Sequence, residues 1–248
     1  MARLRCGALV AWTSAWLAGV AASDDVLRAT VGDDSPHHVE GLPDAPAEIP
    51  VPLSEALITW RRTSASVRLV LPVAGDVRGL PGPAQFRSSA LDAGEAVVGG
   101  GLGLVPDVVE RHPSSVPATV VWQAHSVDEP PPDPLSVAEA QHDLTETIRE
   151  TASALAAADV ARWTDAVGDA LTDARRAGER LDLPPGFPPP AVRLLAQAER
   201  LHAVLDLAAL DPVGGAIDRD GIAARTDALR SLATAVRRAR LAAYNATF

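Results

Sequence analysis

The stretch from residue 67 to residue 106 limits the possible folds of this chain more than any other. It opens at Val67 with a short β-branched and apolar run, which is typical of a largely buried strand. A helix is predicted next, because Pro83 suits a first helical turn and Gly94 suits the residue just past a helix end. The glycines at 99–101 then separate two valine-rich runs, as a tight hairpin turn would. A strand, a helix and a strand within about thirty residues predict a βαβ unit.

The rest of the first half adds helices and two more strands to this unit. The second of these strands alternates apolar and polar residues, as a half-buried strand does. Residues 32–52 are acidic and proline-rich, which predicts a surface loop. The remaining predicted elements are a helix up to Val20, a helix Asp24–Val31 with Ser23 as its N-cap, a short helix Leu53–Trp60, and strands at Leu104–Val109 and Thr119–Val127.

A proline-rich segment at 128–134 predicts a linker, since consecutive prolines favour an extended spacer. Everything after it has helical periodicity, and Ser136 and Glu139 form a capping box at its start. Short connections favour an antiparallel bundle. Four helices are predicted, with approximate ends at Ser136–Ala161, Thr164–Arg180, Ala191–Leu210 and Asp218–Tyr244.

The predicted fold class is therefore α+β. A mixed sheet of about four strands, with one βαβ unit, a hairpin and N-terminal helices, occupies residues 1–127. The linker at 128–134 follows, and a helical bundle at 135–248 packs on the sheet region.

The first 22 residues support two interpretations. Two arginines precede an apolar run that ends in small residues, a pattern typical of a secretory signal peptide. Apolar residues also recur at helical spacing, which is typical of an amphipathic helix kept in a core, at Leu9, Trp12, Trp16 and Val20. The second interpretation is favoured and predicts a cytoplasmic protein, whereas cleavage after residue 22 would predict an exported one.

Charge and composition exclude several classes of partner. The formal net charge is -10, which argues against binding to nucleic acid or to an anionic membrane. The single cysteine, Cys6, excludes an internal disulfide and any cysteine-based zinc site, and it is predicted to be a buried, unreactive thiol. There is no lysine and hence no Walker-type phosphate loop. No cofactor and no metal site are predicted.

Two segments also resemble a known family. The segments Leu69–Pro83 and Ala93–Pro106 are similar to stretches of an uncharacterised family from high-GC bacteria, and the resemblance extends over most of the chain. It implies no activity and assigns no catalytic or binding residue.

The loop after the Val67 strand is the best candidate for a ligand site. Asp76 can orient Arg78, and an arginine binds carboxylate or phosphate through two hydrogen bonds. Gly79 and Arg87 complete the predicted site, which would lie at the end of a central strand, where open α/β sheets place ligands. The alternative is a surface salt bridge that stiffens a long loop.

Other polar patterns have structural explanations. The Glu-x-x-His pairs Glu139/His142 and Glu199/His202 match the spacing of di-iron bundles, but they lie away from the apolar stripes and are predicted to be solvated. The run of aspartates and histidines at 33–38 is predicted to be an acidic surface loop. A stripe of arginines on the last helix (Arg219, Arg230 and Arg237) suits either an acidic partner or the chain's own aspartates.

The sequence therefore predicts a protein without a coherent catalytic constellation. The favoured hypothesis is a non-catalytic interaction or regulatory protein that meets another protein through its C-terminal helices. The alternative is a protein that binds an anionic small molecule at Asp76, Arg78, Gly79 and Arg87. No oligomeric state is predicted.

Overall fold

The structure is a computed structural model that describes residues 4–43, 45–46, 49–109, 117–128, 135–157, 181–210 and 219–246. The chain divides into two compact units. The sheet unit comprises Ala2–Pro134 and Asp182–Phe187, and the helical unit comprises Leu135–Leu181 and Pro188–Ala246.

The sheet unit contains one mixed sheet of six strands in the order β2-β1-β6-β5-β4-β3. Strand β1 runs parallel to β6, and every other neighbouring pair is antiparallel. Its elements are α1 Arg5–Leu17, α2 Ser23–Val31, β1 His38–Glu40, β2 Val51–Pro52, α3 Ser54–Thr63, β3 Arg68–Val70, α4 Ala84–Ala93, β4 Ala96–Gly99, β5 Leu102–Val109 and β6 Thr119–Ser126.

The α+β class is confirmed, but the sheet is wider than expected. Strands β1 and β2 lie within residues 32–52, which were predicted to be a loop. They contain three and two residues, too few for alternation to be visible among prolines and acidic residues. Pairing with the longer β6 holds β1 in the sheet.

The segment around residues 67–106 folds as strand, helix, strand, yet its strands are antiparallel. Residues Leu69 and Val97 are register partners in the antiparallel pair β3–β4. A βαβ unit with parallel strands is therefore wrong for this segment. Strand β3 also lies at the edge of the sheet, and not at its centre as predicted.

The hairpin between β4 and β5 is confirmed, and sterics explain its glycines. Gly100 and Gly101 have φ of 58° and 78°, which glycine adopts without strain. A Cβ at Gly99 would lie 2.4 Å from the carbonyl oxygen of Ser66, so no larger residue fits there. The indole Nε1 of Trp60 donates to the carbonyl of Gly99 at 3.0 Å, which ties α3 to this turn.

Helix α1 is a core helix, although the predicted apolar stripe is wrong. It packs against α2, β3 and β4, and residues on nearly all sides of it are buried, including the polar Arg5 and Thr13. The helix ends at Leu17, and Val20 is 46% exposed. A helix that is covered on several sides has no single apolar face for periodicity to detect. Helix α2 begins one residue earlier than predicted, with Ala22 as its N-cap.

In the helical unit, α5 (Val137–Ala157), α6 (Pro189–Leu210) and α7 (Arg219–Tyr244) pack on one another. The capping box is confirmed, because Ser136 Oγ accepts from the Glu139 backbone N–H at 3.2 Å and Glu139 Oε2 accepts from the Ser136 backbone N–H at 2.9 Å. The helix predicted at Thr164–Arg180 lies outside the described residues.

Candidate functional site

The predicted loop site follows β3. The backbone N–H of Arg78 donates to Asp76 Oδ1 at 3.3 Å, and the Arg78 Nε lies 4.0 Å from the same oxygen. Gly79 has φ of 72°, and a Cβ there would lie 3.4 Å from Val70. The structure therefore brings Asp76 and Arg78 together in a closed turn, in a surface loop after an edge strand.

Arg87 makes a different contact. Its Nε donates to the carbonyl of Pro81 at 3.2 Å, on the segment that leads into α4. This hydrogen bond directs one edge of the Arg87 guanidinium to the backbone. In the predicted site it is therefore Arg78, and not Arg87, that lies next to Asp76.

A cleft of about 510 Å³ lies beside the end of α4. Its walls come from α4, from the start of β4, and from β5 and β6. Among the described residues that line it, three are acidic and none is basic: Ser89, Asp92, Ala93, Glu95, Val105, Pro106, Asp107, Val108 and Gln123. This cleft therefore favours a cationic group over the anion that the loop was predicted to bind.

Strand β5 extends past the start of β4 at this cleft. The pairing of β4 with β5 ends at Val97 and Leu104, whereas β5 continues to Val109 against β6. The carbonyl of Gly101 accepts from Val127 at 2.9 Å, so odd-numbered residues of β5 direct their backbone groups toward β6. The carbonyl of Pro106 and the N–H and carbonyl of Val108 consequently point to the side of β5 on which β4 lies. The described residues place no strand opposite Val108 on that side.

One sheet face is open next to the cleft. Register places Asp107, Val121 and His38 in one row across β5, β6 and β1. Val105, Gln123 and Glu40 form the next row, in which Gln123 Nε2 donates to Glu40 Oε2 at 3.1 Å. We call the accessible members of these rows, together with Val109, the open face: His38, Glu40, Asp107, Val109, Val121 and Gln123.

Helix α4 covers the neighbouring part of the same sheet face. Phe86 is fully buried against Val98 and Val105, and its ring meets that of His125 edge-on at 5.6 Å. The His125 Nε2 is buried and has no hydrogen-bond partner among the described residues, and burial lowers the pKa of this histidine. The alternation predicted for β6 is confirmed: Val120 and Trp122 are buried, while Val121 and Gln123 are partly accessible.

Glu95 lies between the cleft and the start of α1. Its Oε2 accepts the backbone N–H of Cys6 at 2.9 Å, which satisfies one of the free donors at a helix N-terminus. Burial raises the pKa of Glu95, and the hydrogen bonds from Cys6 only partly offset it. Burial, followed by the nearby Glu95 charge, raises the pKa of the Cys6 thiol well above its ordinary value. Cys6 is fully buried, as predicted.

A chain of polar side chains crosses the interior of the sheet unit. Arg5 donates to Asp34 through Nε at 2.7 Å and Nη2 at 3.0 Å. Asp34 lies 3.3 Å from Nε2 of His37, whose Nδ1 accepts from Trp122 Nε1 at 3.2 Å. An indole only donates, so His37 carries its proton on Nε2 and is neutral. The acidic surface loop predicted at 33–38 is therefore wrong for Asp34 and His37, which are drawn inward by Arg5 and Trp122.

Within this row of polar side chains, Asp34 is kept ionised by its neighbours. Burial acts to raise the pKa of Asp34, but the Arg5 guanidinium, with a smaller effect from His37, lowers it below its ordinary value. His38, by contrast, is exposed on the open face. Adjacent histidines in a strand point to opposite faces, which is why the two residues have different roles.

In the helical unit one of the two Glu-x-x-His pairs is solvated, as predicted, and the other is not. Glu139 and His142 are exposed. Glu199 is buried, and its Oε1 accepts from the Nε of Arg240 at 2.9 Å. Burial and the Arg240 charge lower the pKa of His202, and the charges of Asp206 and Glu199 only partly offset this effect. The prediction that Glu199 is solvated is therefore wrong, because the buried Arg240 of α7 pairs with it.

The arginines of α7 are largely occupied within the helical unit. Arg240 is buried in the pair with Glu199, Arg237 and Arg238 are partly buried, and Arg230 contacts Asp227 at 2.6 Å. The Arg219 side chain lies outside the described residues. Among the described residues no group of three or more histidine, cysteine or acidic side chains is placed to hold a metal ion. No described helix is long and apolar enough to cross a membrane.

Fold and sites together define a two-part α+β protein whose first part is a mixed sheet with an acidic cleft. Residues 6–135 match the family described as Rv1486c-like protein, N-terminal domain, and residues 138–241 match its C-terminal domain. The chain belongs to this Rv1486c-like family, which confirms the resemblance seen in the sequence.

Relatives from mycobacteria cover nearly the whole chain. The uncharacterized protein Rv1486c of Mycobacterium tuberculosis is 32% identical, with 95% of this chain and 94% of the relative aligned. The uncharacterized protein ML1804 of Mycobacterium leprae is 30% identical over 96% and 95%. The uncharacterized protein MAV321 of Mycobacterium avium is 27% identical over 95% and 94%. No solved structure matches the chain.

The sequence did not indicate the open face or the cleft as sites. Alternation in β6 was visible and marks Val121 and Gln123 as accessible. Asp92 and Glu95 are close in sequence, but Asp107 is twelve residues beyond Glu95 and reaches them only through the pairing of β4 with β5. His38 and Glu40 flank Val39 in a polar–apolar–polar pattern, which was the one local signal for β1.

Proposed function

We propose that this chain is a non-catalytic interaction protein that binds another protein on its open face. The observation that carries this proposal is the composition of that face, which has an apolar centre within a polar rim. Val121 is partly accessible and has Asp107, Glu40 and Gln123 around it, while Val109 is 54% exposed at the end of β5. Apolar groups within a polar rim are typical of protein interfaces.

The interior polar groups of the sheet unit support a non-catalytic function. Catalysis needs a nucleophile or a general base that can reach a substrate. Cys6 is fully buried, and His37 lies between Asp34 and Trp122. Together with Arg5, the buried side chains of Asp34, His37 and Trp122 link α1 to the sheet, and we propose that they stabilise the fold.

The sheet face is preferred over the C-terminal helices as the partner surface. Of the arginines of α7, Arg240 is paired with Glu199, Arg230 with Asp227, and Arg237 is partly buried. Within the described residues, the side chains of the open face make one such contact, the hydrogen bond between Gln123 and Glu40.

A second candidate function is binding of an anionic small molecule at Arg78. The supporting observation is that the Arg78 side chain is 36% exposed and lies at 4.0 Å from its acidic neighbour. If this candidate holds, phosphate or a dicarboxylate will raise the melting temperature of the wild-type protein and not that of Arg78→Ala. Equal responses of the two proteins would exclude the site.

We further propose that residues 5–17 stay in the mature protein, which then functions in the cytoplasm. Removing them would delete α1, which supplies Arg5 to Asp34 and several fully buried side chains to the core. Mass spectrometry of the N-terminus of the protein purified from its host tests this. A chain that begins near Ser23 would contradict it.

Site-specific photo-crosslinking tests the interaction function. A photoreactive amino acid replaces Val121 on the open face or, as a control, the 48% exposed Ile58 on α3. In host cells we expect a discrete protein adduct at position 121 that is missing at position 58. The captured protein, once purified, must bind the wild-type chain and bind Val121→Arg at least about tenfold more weakly, since a buried interface charge is costly. Equal adducts at both positions, or none at 121, would refute the proposal.

A further inference from the structure

We infer that the cleft beside α4 binds an extended, basic peptide segment of the partner, which adds a strand to the free edge of β5. This inference rests on the proposed function and names the partner's chemistry at the cleft next to the open face, with which the cleft shares Asp107 and Gln123. Two independent features of the described residues carry it: a β5 edge that faces no other strand at Val108, and lining side chains whose charges are all negative.

The strand edge supplies the backbone contacts. Strand β4 begins at Ala96, so its pairing with β5 stops near the middle of the longer strand. Val108 lies beyond that point and directs its N–H and C=O away from β6, toward the cleft it helps to line. A peptide in extended conformation satisfies such groups by continuing the line of β4.

Pro106 determines where such a strand can begin. It lines the cleft on the β4 side and has no N–H to offer, so the first donor available on this edge is that of Val108. The carbonyls of Pro106 and Val108 both point to this edge, where they can accept hydrogen bonds from the N–H groups of a docked peptide. Docking therefore uses one donor and two acceptors, a pattern that favours a short strand of about three paired residues.

The charges of the lining select basic side chains. Asp92 of α4 and Asp107 of β5 are exposed, Glu95 is less exposed, and the described part of the lining contains no basic residue. Side chains of an extended peptide alternate between its two faces. Only every second residue can therefore meet the carboxylates, so the preferred segment has arginine or lysine at alternate positions.

The test uses a labelled peptide with arginine at alternate positions and threonine between them, added to the full-length protein and followed by fluorescence anisotropy. We expect saturable binding that weakens as salt is added. A peptide with glutamate in place of arginine should not bind. Two further peptides are N-methylated on one or the other alternate set of residues. The set whose N–H groups face β5 should bind at least about tenfold more weakly, because hydrogen bonds to the edge are lost.

Two variants of the protein locate the site. Asp107→Asn removes a cleft carboxylate and should weaken binding by about threefold, as expected for an exposed ion pair. Asp24→Asn is the matched control, since it removes an exposed charge on α2 and should leave binding unchanged. Equal effects of the two substitutions, or equal binding of both N-methylated peptides, would overturn the inference.

The outcomes separate this inference from the proposed function. An adduct at position 121 without binding of the arginine peptide would refute the basic strand and leave the interaction function standing. Absence of both would refute both. Peptide binding that is lost on N-methylation and reduced by Asp107→Asn supports the inference directly.

Discussion

Arg5 and Arg28 show how strongly surroundings decide the value of an ion pair. Arg5 and Asp34 have side chains only 10% and 11% exposed and share two hydrogen bonds. Arg28 and Asp25 pair at the same 2.7 Å distance, but their side chains are 66% and 39% exposed. Water and salt screen the second pair and not the first.

Arg5→Ala should therefore lower the free energy of unfolding by about 3 kcal/mol or more, because it leaves Asp34 charged and buried without its partner. Arg28→Ala should destabilise the protein far less, because water and salt screen its exposed pair with Asp25. Urea unfolding at pH 7, followed by tryptophan fluorescence, measures both. Similar losses for the two variants would contradict a structural role for the buried chain of polar side chains.

The raised pKa of Glu95 makes the free energy of unfolding depend on pH with a sign opposite to the contribution of Asp34, whose pKa is lowered. The pKa of Glu95 is raised by burial in the folded state, so its ionised form destabilises the fold at neutral pH. This penalty is fully present above the folded pKa and disappears as the pH falls through that value toward the unfolded pKa near ~4.3.

Glu95→Gln keeps an oxygen that can accept the Cys6 N–H and removes the charge. We expect it to be neutral or stabilising at pH 7, with its advantage over the wild-type protein shrinking as the pH is lowered to about 4.5. Urea unfolding of both proteins at the two pH values measures this. An advantage that grows on acidification would show that Glu95 is not buried as an ionised group.

At the scale of elements, the β4–β5 hairpin shows what sequence can predict. The glycines at 99–101 and the flanking valines require only neighbouring residues, and the predicted turn is confirmed. Helix α4 and strand β6 were also predicted, because caps and alternation are local signals. The antiparallel pairing of β3 with β4 was not, since nothing within either strand specifies its neighbour.

The same hairpin gives a prediction about its glycines. Gly99→Ala places a Cβ 2.4 Å from a backbone oxygen that cannot move away, and we expect a loss of about 3 kcal/mol. Gly101→Ala meets only a φ of 78° in open space and should cost about 1–2 kcal/mol. Thermal and urea unfolding of the two variants compare these costs. A larger loss at Gly101 would show that the turn conformation and not the steric contact dominates.

At the scale of the whole molecule, the sheet unit is not continuous in sequence. Asp182–Phe187 belongs to it, and the carbonyl of Asp182 accepts from Trp12 Nε1 at 3.1 Å. In the sequence this segment is only a proline-rich break between helices. The candidate sites differ in the same way. Asp76 and Arg78 are two residues apart and were predicted from the sequence, whereas the cleft needs Asp107 of β5 beside Asp92 of α4 and Glu95 of the following connection, and it was not predicted.

Phe187→Ala tests the contribution of this returning segment. Phe187 is 6% exposed, so we expect a loss of about 3 kcal/mol in the sheet unit. Hydrogen exchange should accelerate in peptides from α1 and α2 and stay unchanged in those from α6. Leu91→Ala, at a 37% exposed position on α4, serves as the control. Acceleration confined to the helical unit would contradict the assignment of this segment.

The most direct test of partner binding by strand addition at the cleft is the backbone amide signal of Val108 during titration of the protein with the alternating arginine peptide. If a partner strand adds to the free edge of β5, this amide will show one of the largest NMR shift changes and slowed exchange. The amide of Val105, which already faces β6, will change little. Large changes confined to the loop at 75–79 or to the helical unit, with Val108 unaffected, would contradict it.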